Sequence, residues 1–317
     1  MGDILALLFN TAVFGAALRM ATPLIFAALG GIFSERSGVV NIALEGMMLM
    51  GAVIGFQVAH VTSNPLLALI AAALAGAIGA LIFAFLTVSL RANQVVTGLA
   101  LTIFGTGFSS FMGKGLVGIK LSDEFSASFT SIKIPGLGDI PVIGEILFNH
   151  DILVYLGYLT AILIGLYMYN TRKGLNLRAV GENPAAADAA SVRITAYKYG
   201  HILLGGALCG LGGAYLSLVQ VPVWQENITA GRGWIAVALV IFAAWNPYKA
   251  LIGSYFFGGL DIIGFRLQGT GIQISQYFVD MLPYLMTIFV LVIVSLKKDR
   301  KNAPPKALSE PYFREER

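Results

Sequence analysis

Long apolar runs alternate with short polar ones along this chain. Crossing the hydrocarbon core of a bilayer takes about 20 mainly apolar residues. By that measure spans are expected at Ile42–Val61, Leu66–Leu90, Val95–Met112, Ile152–Tyr169, Tyr199–Val219, Trp234–Trp245, Ala250–Phe265 and Tyr277–Leu296. The Trp234–Trp245 run is short, so it either extends outward past Gly231 or is a broken helix. The first apolar region, Ile4 to Phe33, is interrupted by Arg19. It reads either as one helix with an interior arginine or as a short segment followed by a short span. No basic region precedes it, so it does not read as a cleaved signal peptide. The pattern predicts an all-α, polytopic membrane bundle of about eight to ten spans. Residues 1–298 form the expected membrane domain and 299–317 a polar tail.

Charge orients the bundle. Lys and Arg concentrate in the loops that stay inside the cell. The segment Thr171–Lys198 carries Arg172, Lys173, Arg178, Arg193 and Lys198, and the tail after Leu296 begins KKDRK. Both are expected in the cytoplasm, on the inner side of the cell membrane. The segment Lys114–His150 balances Lys114, Lys120 and Lys133 against Asp123, Glu124, Asp139 and Glu145. Lacking a positive excess, it is expected outside. The tail Lys301–Arg317 is polar, contains Pro304–Pro305 and is expected to be disordered.

Composition narrows the class. Of 317 residues, 57% are hydrophobic and 12% charged, against about 25% charged in soluble domains. Mean hydropathy is +0.78. Such a chain cannot cover itself with polar surface, which makes it an integral membrane protein surrounded by lipid. A lone Cys209 rules out an internal disulfide framework and any CxxC metal site. His60, His150 and His201 are scattered, and each reads as structural rather than as a ligand. The net charge of +4 belongs to the inner loops. The basic residues do not cluster with aromatics on one face, so no nucleic-acid partner is expected.

No GxxxxGK[ST] loop is present. GFSSFMGKG, around Lys114, has the wrong spacing and no Ser or Thr after the lysine. HExxH and GxSxG are absent too, so neither an enzyme, a metal site nor a cofactor is expected. A transporter, channel or receptor remains. Gly206 and Gly210, in GGALCGLGGA, and the Ala/Gly stretch Ala71–Ala80 suit close helix packing in lipid.

The candidate chemistry is polar and sparse. SERSGVVNIALEG, Ser34 to Gly46, sits between two apolar segments. Glu35 and Arg36 fit the cytoplasmic interface, where they either make a local charge arrangement or snorkel. Asn41 and Glu45 are four apart, hence on one helical face. That face either looks into a translocation pathway or makes a helix–helix hydrogen bond. Asn93, Gln94 and Thr97 open another span. Asn93 and Thr97 share a face and either offer amide and hydroxyl groups to a ribose or base, or form an interfacial cap. Trp224, Gln225, Glu226 and Asn227, close to Arg232 and Trp234, read as an aromatic belt at the outer interface. Asp261 and Asp280 lie near span ends, with Arg232 and Arg266 as candidate partners.

NLRAVGENPAAADAASVRITAYKY, Asn176 to Tyr199, is the second informative stretch. Asn183 is a good N-cap and Pro184 suits the first helical position. A short Ala-rich helix from Pro184 to Ser191 follows, with few large apolar residues. It either docks in another protein's groove or only joins two spans.

Three motifs together carry a resemblance: ERSGVVNIALEGMMLMGA, RAVGENPAAADAA and GRGWIAVALVIFAAWNP. From about Pro23 to Leu296 the chain resembles the membrane permease subunits of ABC importers, in the branched-chain amino acid, ribose and simple-sugar permease family. It is most similar to the nucleoside-type branch, which works with a basic-membrane-lipoprotein substrate-binding protein. The family's cytoplasmic motif usually continues Ala-Gly-Ile, where this chain has Ala190-Ser191-Val192. The resemblance implies a second permease subunit, cytoplasmic ABC ATPase domains and an external solute-binding lipoprotein that delivers a small-molecule solute. It also implies that Gly181, Glu182, Asn183, Pro184, Ala185, Ala186, Ala187 and Asp188 form a coupling helix on the ATPase. Asn41, Glu45, Asn93, Gln94 and Thr97 are the candidate pathway residues. The same architecture importing simple sugars or branched-chain amino acids is the alternative within the class. An ion-coupled secondary transporter or a channel is the alternative outside it.

Overall fold

The apolar runs fold as helices, and three of the long ones are started by a side chain that satisfies their first amides. The computed structural model of the chain describes residues 11–269, 281–282, 284–289, 292 and 303–313. Helix α1 is Thr11–Arg36, one continuous helix with Pro23 inside it and Arg19 exposed on its surface. Helix α2 is Leu44–Thr62. Helix α3, Pro65–Ala84, is capped by Asn64, which accepts from the amides of Leu66 and Leu67, and ends in a π turn at Phe85–Ser89. Helix α4 is Gln94–Gly113, capped by Asn93.

A segment between α4 and the next long helix follows, with short helices α5 (Asp123–Ala127) and α6 (Ile143–Leu147). Its two-residue strands, β1 (Ile132–Lys133) and β2 (Asn149–His150), pair antiparallel. Helix α7, Ile152–Asn170, is capped by Asp151. Helices α8 (Arg172–Glu182) and α9 (Pro184–Ala189) form the connection at the opposite end. Helix α10, Ile194–Tyr215, ends in a π turn at Leu216–Gln220. Helix α11, Arg232–Phe242, is short, and α12 is Pro247–Gly269.

Among the described residues, six helices are long and apolar enough to cross a membrane. The chain is a multi-pass, all-α membrane protein. The expected span Tyr277–Leu296 lies largely outside the described residues, as do Asp280 and the side chain of Arg266. The run at Trp234–Trp245 is not extended past Gly231. It is the broken helix α11.

Helix α10 is the packing axis. It touches α1, α2 and α3, and glycines line each contact. Gly205 meets Gly30 of α1, Gly206 and Gly210 meet Ala72, Gly76 and Ala80 of α3, and Gly210 and Gly213 meet Gly51 and Met48 of α2. Lipid supplies no hydrophobic drive for helix association, so close backbone approach and van der Waals contact must supply it. A methyl group at any of these positions would collide with backbone.

Two expectations are corrected at the ends of the bundle. Trp224 is not part of an interfacial belt. It is fully buried, 5.6 Å from the ring of Phe56 between centroids. The cause is backbone pairing: Gly118 and Leu121 donate to the carbonyls of Trp224 and Pro222, and Trp224 donates to Ile119. The segment after α4 thus folds over the indole.

The tail is ordered from Ala303 to Phe313, not disordered. The Ala307 amide donates to the Gly181 carbonyl at 3.0 Å, and the Tyr312 hydroxyl to Asp188 at 2.9 Å. The Arg91 guanidinium sits 4.3 Å from the Phe313 ring centre. The tail therefore lies at the same end of the bundle as α8 and α9.

The packing axis predicts a contrast between two glycines. Gly51→Ala places a methyl against the Gly210 backbone and is expected to cost about 1–3 kcal/mol by overpacking. Gly107→Ala on α4 meets nothing within 4 Å, and its Tm is expected to hold or rise through better helix propensity. Thermal unfolding of the detergent-purified chain measures both. Equal Tm values for the two variants would contradict close packing along α10.

Candidate functional site

The stretch Ser34–Gly46 forms a corner rather than a helix. Helix α1 ends at Arg36, Gly38 turns the chain with φ +86°, and α2 begins only at Leu44. Asn41 therefore lies before α2 and does not share a helical face with Glu45. Its Oδ1 accepts from the Ala43 amide at 3.0 Å and its Nδ2 donates to Ser34 Oγ at 3.3 Å. An Asn that bonds the backbone two residues on favours a turn over a helix, which is why the face expected from the spacing is not formed.

The corner grips both ends of α11. Eleven residues of helix span about 16 Å, roughly half of a 30 Å hydrocarbon core. The ends of α11 cannot both reach water, so its free amides and carbonyls need protein partners. At the N-terminus Gly231 has φ +83° and there is no cap of the helix's own. Glu45 fills that role from α2. Its Oε1 accepts from the Thr229 hydroxyl at 2.6 Å and the Gly231 amide at 2.9 Å, and its Oε2 from the Gly233 amide at 2.5 Å. Glycine is required at 233, because a Cβ there would lie 2.4 Å from the Glu45 Cα and 2.6 Å from its Oε2.

At the other end, Ala244 and Trp245 adopt left-handed φ of 50° and 54° and stop the helix. Arg36 donates to their carbonyls, at 3.3 Å to Ala244 and 3.0 Å to Trp245. Glu35 accepts from the Trp245 indole at 2.6 Å. Glu35 is buried, so it does not snorkel into the interface. A carboxylate at the N-terminus and a guanidinium at the C-terminus both complement the helix dipole. Arg232, in the first turn of α11, pairs with Asp261 of α12 at 3.8 Å.

The second polar cluster divides. Asn93 is exposed and caps α4, accepting from the Val96 amide at 3.0 Å. Gln94 is buried, and its Oε1 accepts from the Val40 amide at 2.7 Å. Thr97 is buried on the same helix. Thr102 donates to the Ile42 carbonyl at 3.3 Å. The structure thus brings Asn41, Glu45 and Gln94 together around the corner and leaves Asn93 at the surface.

The connection between α7 and α10 has two faces. Asn183 caps α9, accepting from the Ala186 amide at 3.0 Å, and Pro184 takes the first helical position. Gly181 is buried against the Arg36 carbonyl. Ala187 is buried with Val180 and Ile194, and the Asp188 carboxylate holds Tyr312. Glu182, Asn183, Ala185, Ala186, Ala189 and Ala190 are exposed. The expected small-residue surface is real only on this outer face.

The family model for the permease component of branched-chain amino acid transport systems matches residues 13–291. This chain belongs to that permease family. The guanosine ABC transporter permease NupQ of Bacillus subtilis is 38% identical, over 95% of this chain and 96% of that one. The nucleoside ABC transporter permease NupC of Lactococcus lactis is 36% identical, over 87% and 90%. The putative glucose ABC transporter permease TsgC13 of Haloferax volcanii is 36% identical, over 97% and 99%. The protein is a transport permease of the ABC class and not an enzyme.

In a permease a helix that breaks inside the bundle is a place where cargo and backbone can meet, since half-helix ends carry unspent polarity. Sequence reasoning missed Thr229, Gly231 and Gly233 as the partners of Glu45. Their signal was there in TAGRG, where two glycines flank an arginine at the start of a short apolar run.

The clamp predicts that its partners matter as much as Glu45. Thr229→Val keeps the volume but removes one donor to a buried carboxylate, a loss of about 1–3 kcal/mol. Gly233→Ala pushes directly on Oε2. Both are expected to lower the Tm of the purified permease. Unchanged Tm in both variants would show that α11 is not held from its N-terminus.

Proposed function

We propose that this permease forms the membrane pathway of an ABC importer for nucleosides. Support comes from the relatives whose names carry guanosine or nucleoside, which match at 36–38% identity over most of both chains. The glucose permease relative, at 36% identity, supports a second reading with a sugar cargo. Both cargoes carry a hydroxylated sugar ring, which suits a pathway that offers amides and hydroxyls.

The partners in this reading are a second permease, an ABC ATPase and an external solute-binding lipoprotein. A second guanosine permease of Bacillus subtilis and a second nucleoside permease of Lactococcus lactis are also similar to this chain, at 26% and 21% identity. That pattern supports a heterodimer of related permeases. The basic segment α8–α9 and the tail face the cytoplasm, and the segment 114–150 faces outward. Residues 1–298 make the membrane domain, 171–198 the coupling segment and 299–317 the tail.

The outer face of α9, with Glu182, Asn183, Pro184, Ala185 and Ala186, seats on the ATPase. Gly181, Ala187 and Asp188 fix that helix to the permease itself. Gly181 lies against the Arg36 carbonyl, so a push on α9 reaches the corner that grips α11. The α11 break borders the pathway. Asn41, Glu45 and Gln94 position its walls, with Thr97 behind them and Asn93 at its inner mouth. ATP binding on the partner drives alternating access through this chain of contacts.

The coupling surface is tested at Ala186, which is exposed, and not at Ala187, which is buried. Ala186→Arg is expected to leave insertion and the Tm of the permease within about 0.5 kcal/mol of wild type, as for other exposed sites. Guanosine-stimulated ATP hydrolysis by the reconstituted importer should fall sharply, and glucose should not stimulate it. Wild-type ATPase co-purification together with wild-type stimulated hydrolysis would reduce α9 to a connector. Stimulation by glucose alone would keep the importer and replace its cargo.

A further inference from the structure

At the end of the bundle that carries α8 and α9, a cavity of about 860 Å³ opens between the π turn of α3, the start of α10 and the ordered tail. Small-molecule sites typically measure about 300–1,000 Å³. Three cations line it: Arg91, Arg193 and Lys198. The acid at its edge, Asp188, already accepts the Tyr312 hydroxyl.

Lys198 is the anomaly. It is only 4% exposed, and among the described residues its ammonium has neither an ion pair nor a hydrogen bond. The ammonium is not sealed inside the protein: with no protein partner, it faces the cavity that Lys198 lines. A charge held at a cavity wall by a buried stem is free to meet an anion there.

The backbone points the same way. Helix α10 starts at Ile194 with no side chain capping it. Its first amides, from Ile194, Thr195 and Ala196, have no carbonyl partner within the helix, and these three residues line the cavity. The N-terminus of a 22-residue helix also carries partial positive charge that favours anions. Thr195, Ser191 and Tyr199 add hydroxyls. Cations on several sides and amides on another suit a group with several anionic oxygens better than a flat carboxylate.

We infer that this cavity binds a phosphate-bearing anion, with Lys198 as its buried cation and Arg193 and the α10 amides as its other wall. Pro311 and Tyr312 of the tail form the outer rim. The ligand is either the headgroup of an anionic lipid or a soluble phosphate compound. The inference holds whatever the permease carries.

The full chain is reconstituted in phosphatidylcholine nanodiscs, and saturable binding of radiolabelled inorganic phosphate is measured. In parallel, mixed phosphatidylcholine–phosphatidylglycerol nanodiscs are used, and phosphatidylglycerol retained per chain is counted after detergent extraction. Lys198→Met preserves the stem and removes the charge. Arg193→Gln tests the exposed rim should the first variant fold poorly. Wild type is expected to bind in one arm, and each variant to bind about tenfold or more weakly, the loss of roughly 1.4 kcal/mol or more. Binding in the phosphate arm identifies a soluble ligand, and in the lipid arm a headgroup. No saturable binding by wild type in either arm, or wild-type binding by both variants, overturns the site.

Discussion

A helix too short to cross the hydrocarbon core leaves polar backbone groups that the protein itself must satisfy. Helix α11 is that helix, and its two ends set the demands that the surrounding sequence meets. Glu45 takes the amides at one end, and Arg36 and Glu35 secure the other. The two acids and the arginine are separated by few residues in sequence because a single corner, between α1 and α2, reaches both ends of an eleven-residue helix. This is why so apolar a chain keeps a charged stretch between two spans. An ion in hydrocarbon is unfavourable by at least a few kcal/mol, but here each charge satisfies backbone groups that would otherwise be stranded.

The corner is held in turn by the packing axis. Helix α10 brings α1, α2 and α3 together through glycine contacts, so the two helices that supply the corner have fixed relative positions. Helix α4 adds Gln94 and Thr102, which bond the backbone of Val40 and Ile42. On the far side Gly181 packs on the Arg36 carbonyl, and Ala307 of the tail bonds the Gly181 carbonyl. One continuous set of contacts therefore runs from the tail and α9, through the corner, to the middle of the bundle. In the proposed importer, coupling to the ATPase would use this route.

Much of this architecture was legible in the sequence. Twenty-residue apolar runs are strong signals, and Asn183 marks a helix start by chemistry that does not depend on tertiary contact. The short run at Trp234 left an outward extension and a break open, and the structure has the break. The polar stretch was visible too, but not what it touches. Thr229 lies 184 positions from Glu45, and no local pattern encodes that pairing. Asn41 was misplaced because helical spacing was assumed through a corner. Trp224 looked interfacial because aromatics commonly are, whereas the fold of the segment after α4 over it depends on backbone pairing that leaves no mark on side-chain pattern. The tail looked disordered because it has too few apolar residues for a core of its own. It is ordered by borrowing the surface of α8 and α9.

The central claim is that the grip of Glu45 on α11 serves transport. Uptake of labelled guanosine by the complete importer, reconstituted with its binding protein and ATPase and carrying Glu45→Gln, tests this directly. The amide keeps one acceptor oxygen and loses the charge and the second acceptor. The complex is predicted to assemble in normal yield while uptake falls to a small fraction of wild type. A normally assembled Glu45→Gln importer with wild-type uptake would contradict the account.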